Sequence, residues 1–362
     1  KFGKSTSRSL FSKSPRFRKF FCGSNFLLAF QYQNMNNKSK FIVRSRTEQD
    51  FRTVYIRKRF HLNGHRAAIY ALDQGEHPSE VLSAGGDGLV VKWDLDDPDV
   101  GQVSAQVQAN IFSLKYIPHL HRLAIGNMHG GVHWIDLHTN NNIKNVMHHE
   151  KGVFDIQYFN DHIYTLGGQG RLAKWSAEDC RSLETFHISN KSLRSLDYCA
   201  SRNEIAIGSS DYSIYILDAT DLSIKKQIEN AHDNSVFAVK YSPDGEYLMT
   251  GGRDAMLKVW NTAQDYKLES AQPAHWFTIN KIVFSPDGMV FVTSSRDKSA
   301  KIWDAKTFKV LKVIEKTRLV GHTNSVNSLF WTDYKNTLVT CGDDRLVMGW
   351  DVDYLYENPY DK

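Results

Sequence analysis

The chain has 362 residues, of which 41% are hydrophobic and 12% aromatic, with 23 glycines and eight tryptophans; this supplies a large core made of many short segments joined by tight turns. Its formal charge of +5 is unevenly placed: residues 1–46 hold eleven of the 45 lysines and arginines and none of the 40 acidic residues, so the remainder is net negative and the basic balance is no argument for a nucleic-acid-binding body. Four dispersed cysteines (Cys22, Cys180, Cys199, Cys341) form no C-x-x-C pair, which argues against a zinc ribbon or a disulfide framework and fits a reducing, cytoplasmic setting; no apolar run reaches the ~18 residues of a membrane span.

In chain order, the first segment is the basic, Ser-rich arm over residues 1–46, which includes Phe20-Phe21-Cys22-Gly23 and Phe26-Leu27-Leu28-Ala29-Phe30. It reads in three ways: an organelle-targeting peptide, a basic tail for nucleic acid or anionic membrane, or sequence upstream of a true start at Met35, the last being slightly preferred. Little order is expected over residues 1–40. Residues 47–358 are expected to form one domain. Its first element is a strand over Thr53–Phe60, placed just ahead of Gly64-His65.

From there the sequence repeats. Four segments carry an Asp six positions before a Trp: Asp87 and Trp93, Asp254 and Trp260, Asp297 and Trp303, Asp344 and Trp350. Weaker copies end at Ile135-Asp136, Trp175-Ser176 and Leu217-Asp218, where His129 and Gln169 stand in the Asp position of the first two and Ile135 and Leu217 replace Trp. The seven anchors at 93, 135, 175, 217, 260, 303 and 350 keep the ~40–45-residue period of a four-stranded propeller blade. Gly64-His65, Ala231-His232, Ala274-His275 and Gly321-His322 each place their His 28 residues before the matching Trp. Val236–Tyr241, Ser242-Pro243-Asp244-Gly245 and Tyr247–Thr250 read as strand, type I turn and strand, and Ser285-Pro286-Asp287-Gly288 repeats the turn one unit later. No segment keeps a helical period over three turns.

The Gly-His…Trp-Asp pattern resembles the WD40-repeat family over about residues 51–352. The resemblance implies an all-β, seven-bladed β-propeller; the Thr53–Phe60 strand would complete the last blade and remove an exposed sheet edge. The sets His65-Ser83-Asp87-Trp93, His232-Thr250-Asp254-Trp260, His275-Thr293-Asp297-Trp303 and His322-Thr340-Asp344-Trp350 imitate a hydrolase triad, but hydrogen-bond bookkeeping makes them structural. A buried indole N–H needs an acceptor, the Ser or Thr hydroxyl supplies one and donates to His, and His donates to Asp. Repeats two to four are read as having lost parts of this relay.

With the phase fixed, the first strand of each blade brings one residue to the channel rim: Tyr70, Phe112, Phe154, Arg194, Phe237, Asn280 and Asn327. By family resemblance this ring is a contact position, and its aromatics suit a peptide side chain, or a guanidinium or methyl-ammonium group. Arg253 and Arg296, each preceding a turn Asp, suggest a spot for an acidic ligand; Trp276-Phe277 and the long loop around Lys316-Thr317-Arg318 are further candidates on this face. The chain has no phosphate loop, G-x-S-x-G or H-E-x-x-H. His148-His149 and His119-Leu120-His121 read as surface-loop histidines, and neither metal nor cofactor is expected. The expectation is a non-catalytic scaffold that binds a protein or peptide and is monomeric as an isolated ring, with an enzyme at the channel mouth or nucleic-acid binding through the arm as alternatives.

Overall fold

The structure, a computed structural model, describes residues 51–139 and 141–356; the arm over residues 1–46, with the three readings of it, lies outside them. The described residues form seven antiparallel sheets of four strands each. Blade one comprises Ile69–Gln74, Glu80–Gly85, Leu89–Asp94 and Gln102–Gln106, and the next five follow the same order through Val310–Ile314. Innermost strands touch from blade to blade around the whole circuit, the seventh meeting the first, so the sheets close into a ring. The short helix Lys316–Leu319 occupies the long connection that enters blade seven.

Strand composition follows position in the blade. The second strands Glu80–Gly85, Glu204–Ser209, Val290–Ser295 and Thr337–Gly342 are buried along their length, because a neighbouring blade covers each face; they carry small and β-branched residues without the polar alternation of a one-sided sheet. The outermost strand Asn141–Met147 is mostly exposed and polar. Cores therefore lie between blades: one cluster joins Trp350 and Leu338 of blade seven to Ile302 and Val292 of blade six.

Blade seven holds the two ends of the described chain together. Its strands Val326–Thr332, Thr337–Gly342 and Leu346–Tyr356 are completed by Phe51–Asn63, which pairs antiparallel with Leu346–Tyr356 in a register that sets Ile56 against Val352 and His61 against Met348. Phe60 seats its ring over Gly349, where a Cβ would come within 2.1 Å of it. The closing strand is longer than the Thr53–Phe60 segment expected from sequence, and Arg57 pairs with Asp351 at 2.7 Å on its exposed side.

A register slip recurs in every blade between the first and second strands. It falls between Ile69 and Ala71, Ile111 and Ser113, Val153 and Asp155, Leu193 and Ser195, Val236 and Ala238, Ile279 and Lys281, and Val326 and Ser328. One residue per blade is thereby left out of the ladder, and such a bulge re-aims the side chain it carries.

Candidate functional site at the channel mouth

The face that carries the rim is fixed by hydrogen-bond relays. In blade one, Trp93 Nε1 donates to Ser83 Oγ at 2.8 Å, His65 Nε2 lies 2.8 Å from the same hydroxyl, and His65 Nδ1 lies 2.9 Å from Asp87 Oδ2. Asp87 also accepts the backbone N–H groups of Arg66 and Leu89. Blades five, six and seven repeat this through His232-Thr250-Asp254-Trp260, His275-Thr293-Asp297-Trp303 and His322-Thr340-Asp344-Trp350. Each relay ties the loop entering a blade to the turn between its second and third strands. Burial alone would raise the Asp297 carboxyl; the hydrogen bond and charge of His275, with Ser299 and the Trp276 N–H, outweigh it and hold the group well below the ordinary carboxylate range. Burial also lowers His275, against the hydrogen bond and charge of Asp297, which raise it.

Blade three corrects the sequence reading. His149 is buried, not a surface-loop residue, and builds a relay: its Nε2 lies 2.8 Å from Thr165 Oγ1, which accepts from Trp175 Nε1 at 2.9 Å, while Gln169 Nε2 lies 3.1 Å from His149 Nδ1. Gln169 Oε1 is buried without a partner. Turning the amide over would match the Asp geometry of the other blades, but either orientation leaves one amide atom unpaired. Blade four substitutes differently: Asp211 accepts from the hydroxyls of Ser189 (2.5 Å) and Tyr215 (2.7 Å). Among the described residues blade two has no such relay, and the buried Trp134 Nε1 has no partner.

Lacking a carboxylate, His149 is driven down to about 4 by burial and by neighbouring His148. A depressed histidine pKa stabilises the fold above the unfolded value of 6.5, and this contribution is lost as the pH falls toward 4. This site alone is expected to cost about 2 kcal/mol of stability between pH 7 and pH 5. In Gln169→Glu a carboxylate would support the charged imidazole, so denaturant titrations at the two pH values should show less than half of that loss. Equal acid sensitivity in the two proteins would refute the assignment.

The seven residues omitted from the strand ladders are Tyr70, Phe112, Phe154, Arg194, Phe237, Asn280 and Asn327, and all seven line one cavity of about 340 Å³ at the mouth of the central channel. All are half-buried. Tyr70 meets Phe112 edge-on at 5.4 Å, and Phe112 stacks on Phe154 at 5.8 Å. The Arg194 guanidinium lies 4.2 Å from the Phe154 ring centroid and 5.0 Å from that of Phe237, and its Nε donates to Ser210 Oγ. One face of each of the Phe154 and Phe237 rings is therefore occupied by the chain's own arginine, which would compete there with a guest guanidinium or methyl-ammonium. Asn280 and Asn327 use their amides to bridge blades, Asn280 to Val326 O and Asn327 to Ile69 O, and Asn327 also donates to Asp343 of its own blade.

Charge at the mouth is lopsided. Arg194 is held below its ordinary value by burial and then by the charge of Arg253, and among the described residues it has no carboxylate partner. Exposed Arg253 and Arg296 sit in turns on either side of the loop holding Trp276 and Phe277: Ala255 O accepts the His275 N–H, and Arg296 N–H donates to Thr278 O. Trp276 is 87% and Phe277 57% exposed. The acids within the cavity are engaged, Asp73 with Lys115 and the Tyr116 N–H, Asp155 with the Leu196 N–H and, at 3.9 Å across the channel, Lys281.

Fold and relay together define a propeller built from WD-type repeats. The chain is a WD40-repeat, seven-bladed β-propeller protein: residues 224–261, 267–304 and 314–351 match the family described as "WD domain, G-beta repeat". Each match begins on the outermost strand of one blade and ends on the third strand of the next, so the sequence repeats interlock neighbouring blades. The chain is 27% identical over 145 residues to WD repeat-containing protein 90 of Xenopus tropicalis (37% of this chain, 8% of that protein). It is 25% identical over 202 residues to Actin-interacting protein 1 of Drosophila melanogaster (54% and 33%). It is 21% identical over 232 residues to the guanine nucleotide-binding protein subunit beta of Nicotiana plumbaginifolia (59% and 61%). In each case it spans less than two thirds of the relative. The WD40 β-propeller domain of Doa1 superposes with a TM-score of 0.73 at 17% identity, over 82% of this chain and 97% of that one, a likeness of fold. No helix among the described residues is long and apolar enough to cross a membrane.

Proposed function

We propose that this protein is a non-catalytic interaction platform whose channel mouth takes a segment of a protein partner bearing an acidic side chain. The observation that carries this reading is Arg194, a half-buried cation flanked by two aromatic rings, facing a second cation and lacking a carboxylate. A buried charge without a counter-ion is costly, and an incoming carboxylate relieves that cost while the collar supplies apolar contact. Arg253, Trp276, Phe277 and Arg296 extend the surface outward from blades five and six. The non-catalytic reading is supported by the engagement of Asp73 and Asp155, which leaves no pair of free carboxylates converging at the mouth among the described residues.

The test is selection of a random-sequence peptide library on the protein. Enriched peptides should carry Asp or Glu, and Arg194→Gln should weaken them about tenfold or more with melting unchanged. Enrichment indifferent to acidic residues, or binding unaltered in Arg194→Gln, would count against the proposal.

A further inference from the structure

The connections between first and second strands, and between third and fourth, emerge on the face opposite the relays. There Glu76 of blade one approaches His121 and His138 of blade two. One donor atom from each lies within 4.8 Å of the other two. The His121 and His138 rings are 4.3 Å apart at 45°, and His121 Nδ1 is 2.9 Å from Glu76 Oε1. That nitrogen is nonetheless buried without an aligned hydrogen bond, so a carboxylate oxygen and two imidazoles converge on a point that none of their mutual hydrogen bonds explains.

The backbone fixes the group. His121 caps a short 3-10 turn in the left-handed region at φ 49°, its N–H bonded to Pro118 O, and its carbonyl accepts the Leu137 N–H at 2.9 Å. This last bond holds the turn bearing His138 against His121. Glu76 comes from the adjacent blade, in the turn between Ile69–Gln74 and Glu80–Gly85. Two imidazoles and one carboxylate are a donor set for zinc or a similar first-row divalent ion and not for calcium or magnesium, which take oxygen. Donors around tetrahedral zinc stand about 3.3 Å apart, so side-chain rotation of about an ångström closes the set.

We infer that Glu76, His121 and His138 form a divalent transition-metal site, with water in the fourth position, that clips blade one to blade two. It adds to a blade whose own fastening is incomplete: blade two has Ile135 in the Trp position and, among the described residues, no relay on the opposite face and no partner for the Trp134 N–H. Metal held by two blades stabilises the folded ring by mass action.

The experiment titrates the full chain with Zn²⁺ by calorimetry and follows melting temperature with and without the metal. One equivalent should bind and raise the melting temperature. His138→Ala, His121→Asn (a residue that tolerates the left-handed backbone) and Glu76→Gln should each lose about tenfold or more in affinity while melting as wild type without metal. His77→Ala, at an exposed histidine one position from Glu76, should bind as wild type. Absence of a one-equivalent zinc event, retention of it in the His138→Ala, His121→Asn and Glu76→Gln variants, an equal loss in His77→Ala, or calcium binding of equal strength would each overturn the assignment.

Discussion

Removal of residues 51–60 is expected to abolish the single cooperative melting transition and to cause aggregation. The deletion strips Leu346–Tyr356 of its partner over most of its length and leaves a bare edge of unpaired N–H and C=O groups, the template on which chains pair with one another. It also removes Val54 and Phe60 from the core and empties the space over Gly349. With three strands in blade seven, the two ends of the ring are no longer held in one sheet and meet only through the packing of blade seven on blade one, as at Asn327 and Ile69 O. Light scattering and calorimetry on the deleted protein check this, and a soluble product with one sharp transition would show that the ring closes without its outer strand.

Thr293→Val is expected to cost about 2–6 kcal/mol. The two side chains have nearly the same shape, so packing is kept and only the hydroxyl is lost. That hydroxyl is fully buried and serves two partners at once, accepting from Trp303 Nε1 at 2.9 Å and lying 2.8 Å from His275 Nε2. Its removal leaves a buried donor and a buried acceptor unpaired, each costing about 1–3 kcal/mol. Equilibrium denaturation measures the loss, and a change below about 0.5 kcal/mol would mean that the relay contributes no stability.

The ring was legible in the sequence because its period is enforced twice, by Asp before Trp and by His before Trp, and both spacings are set by rigid strand lengths. Blade three escaped because the turn between its strands Val153–Phe159 and His162–Gly167 is shorter than its counterparts, which moves the histidine out of the expected place, and because Gln169 does the work of Asp. In blade two, a tryptophan beside the anchor hid the fact that Trp134 faces away from the relay side of its strand, toward Trp175 of the next blade. The rim positions followed from phase alone, but their common cause, a bulge at the same step of every first strand, is a matter of hydrogen-bond register that no composition or spacing reveals. The cluster of Glu76, His121 and His138 unites residues from two repeats, and a reading that takes each repeat by itself does not bring them together.

The closing strand also sets a clock for synthesis. Arg57 and Asp351, paired across it, are 294 residues apart in the chain. At about 5–20 residues per second the ribosome delivers the second of them roughly 15–60 s after the first. For that interval Phe51–Asn63 has no strand to pair with, and its Val54, Phe60 and Leu62 side chains have no core to enter. Blades one to six can form in order as they emerge, each covering the last, but the ring locks only once Leu346–Tyr356 has been made. The same contact that makes the finished propeller hard to open is the last contact of the ring to form, so newly made chains pass through an open-ended state that exposes unpaired strand edges.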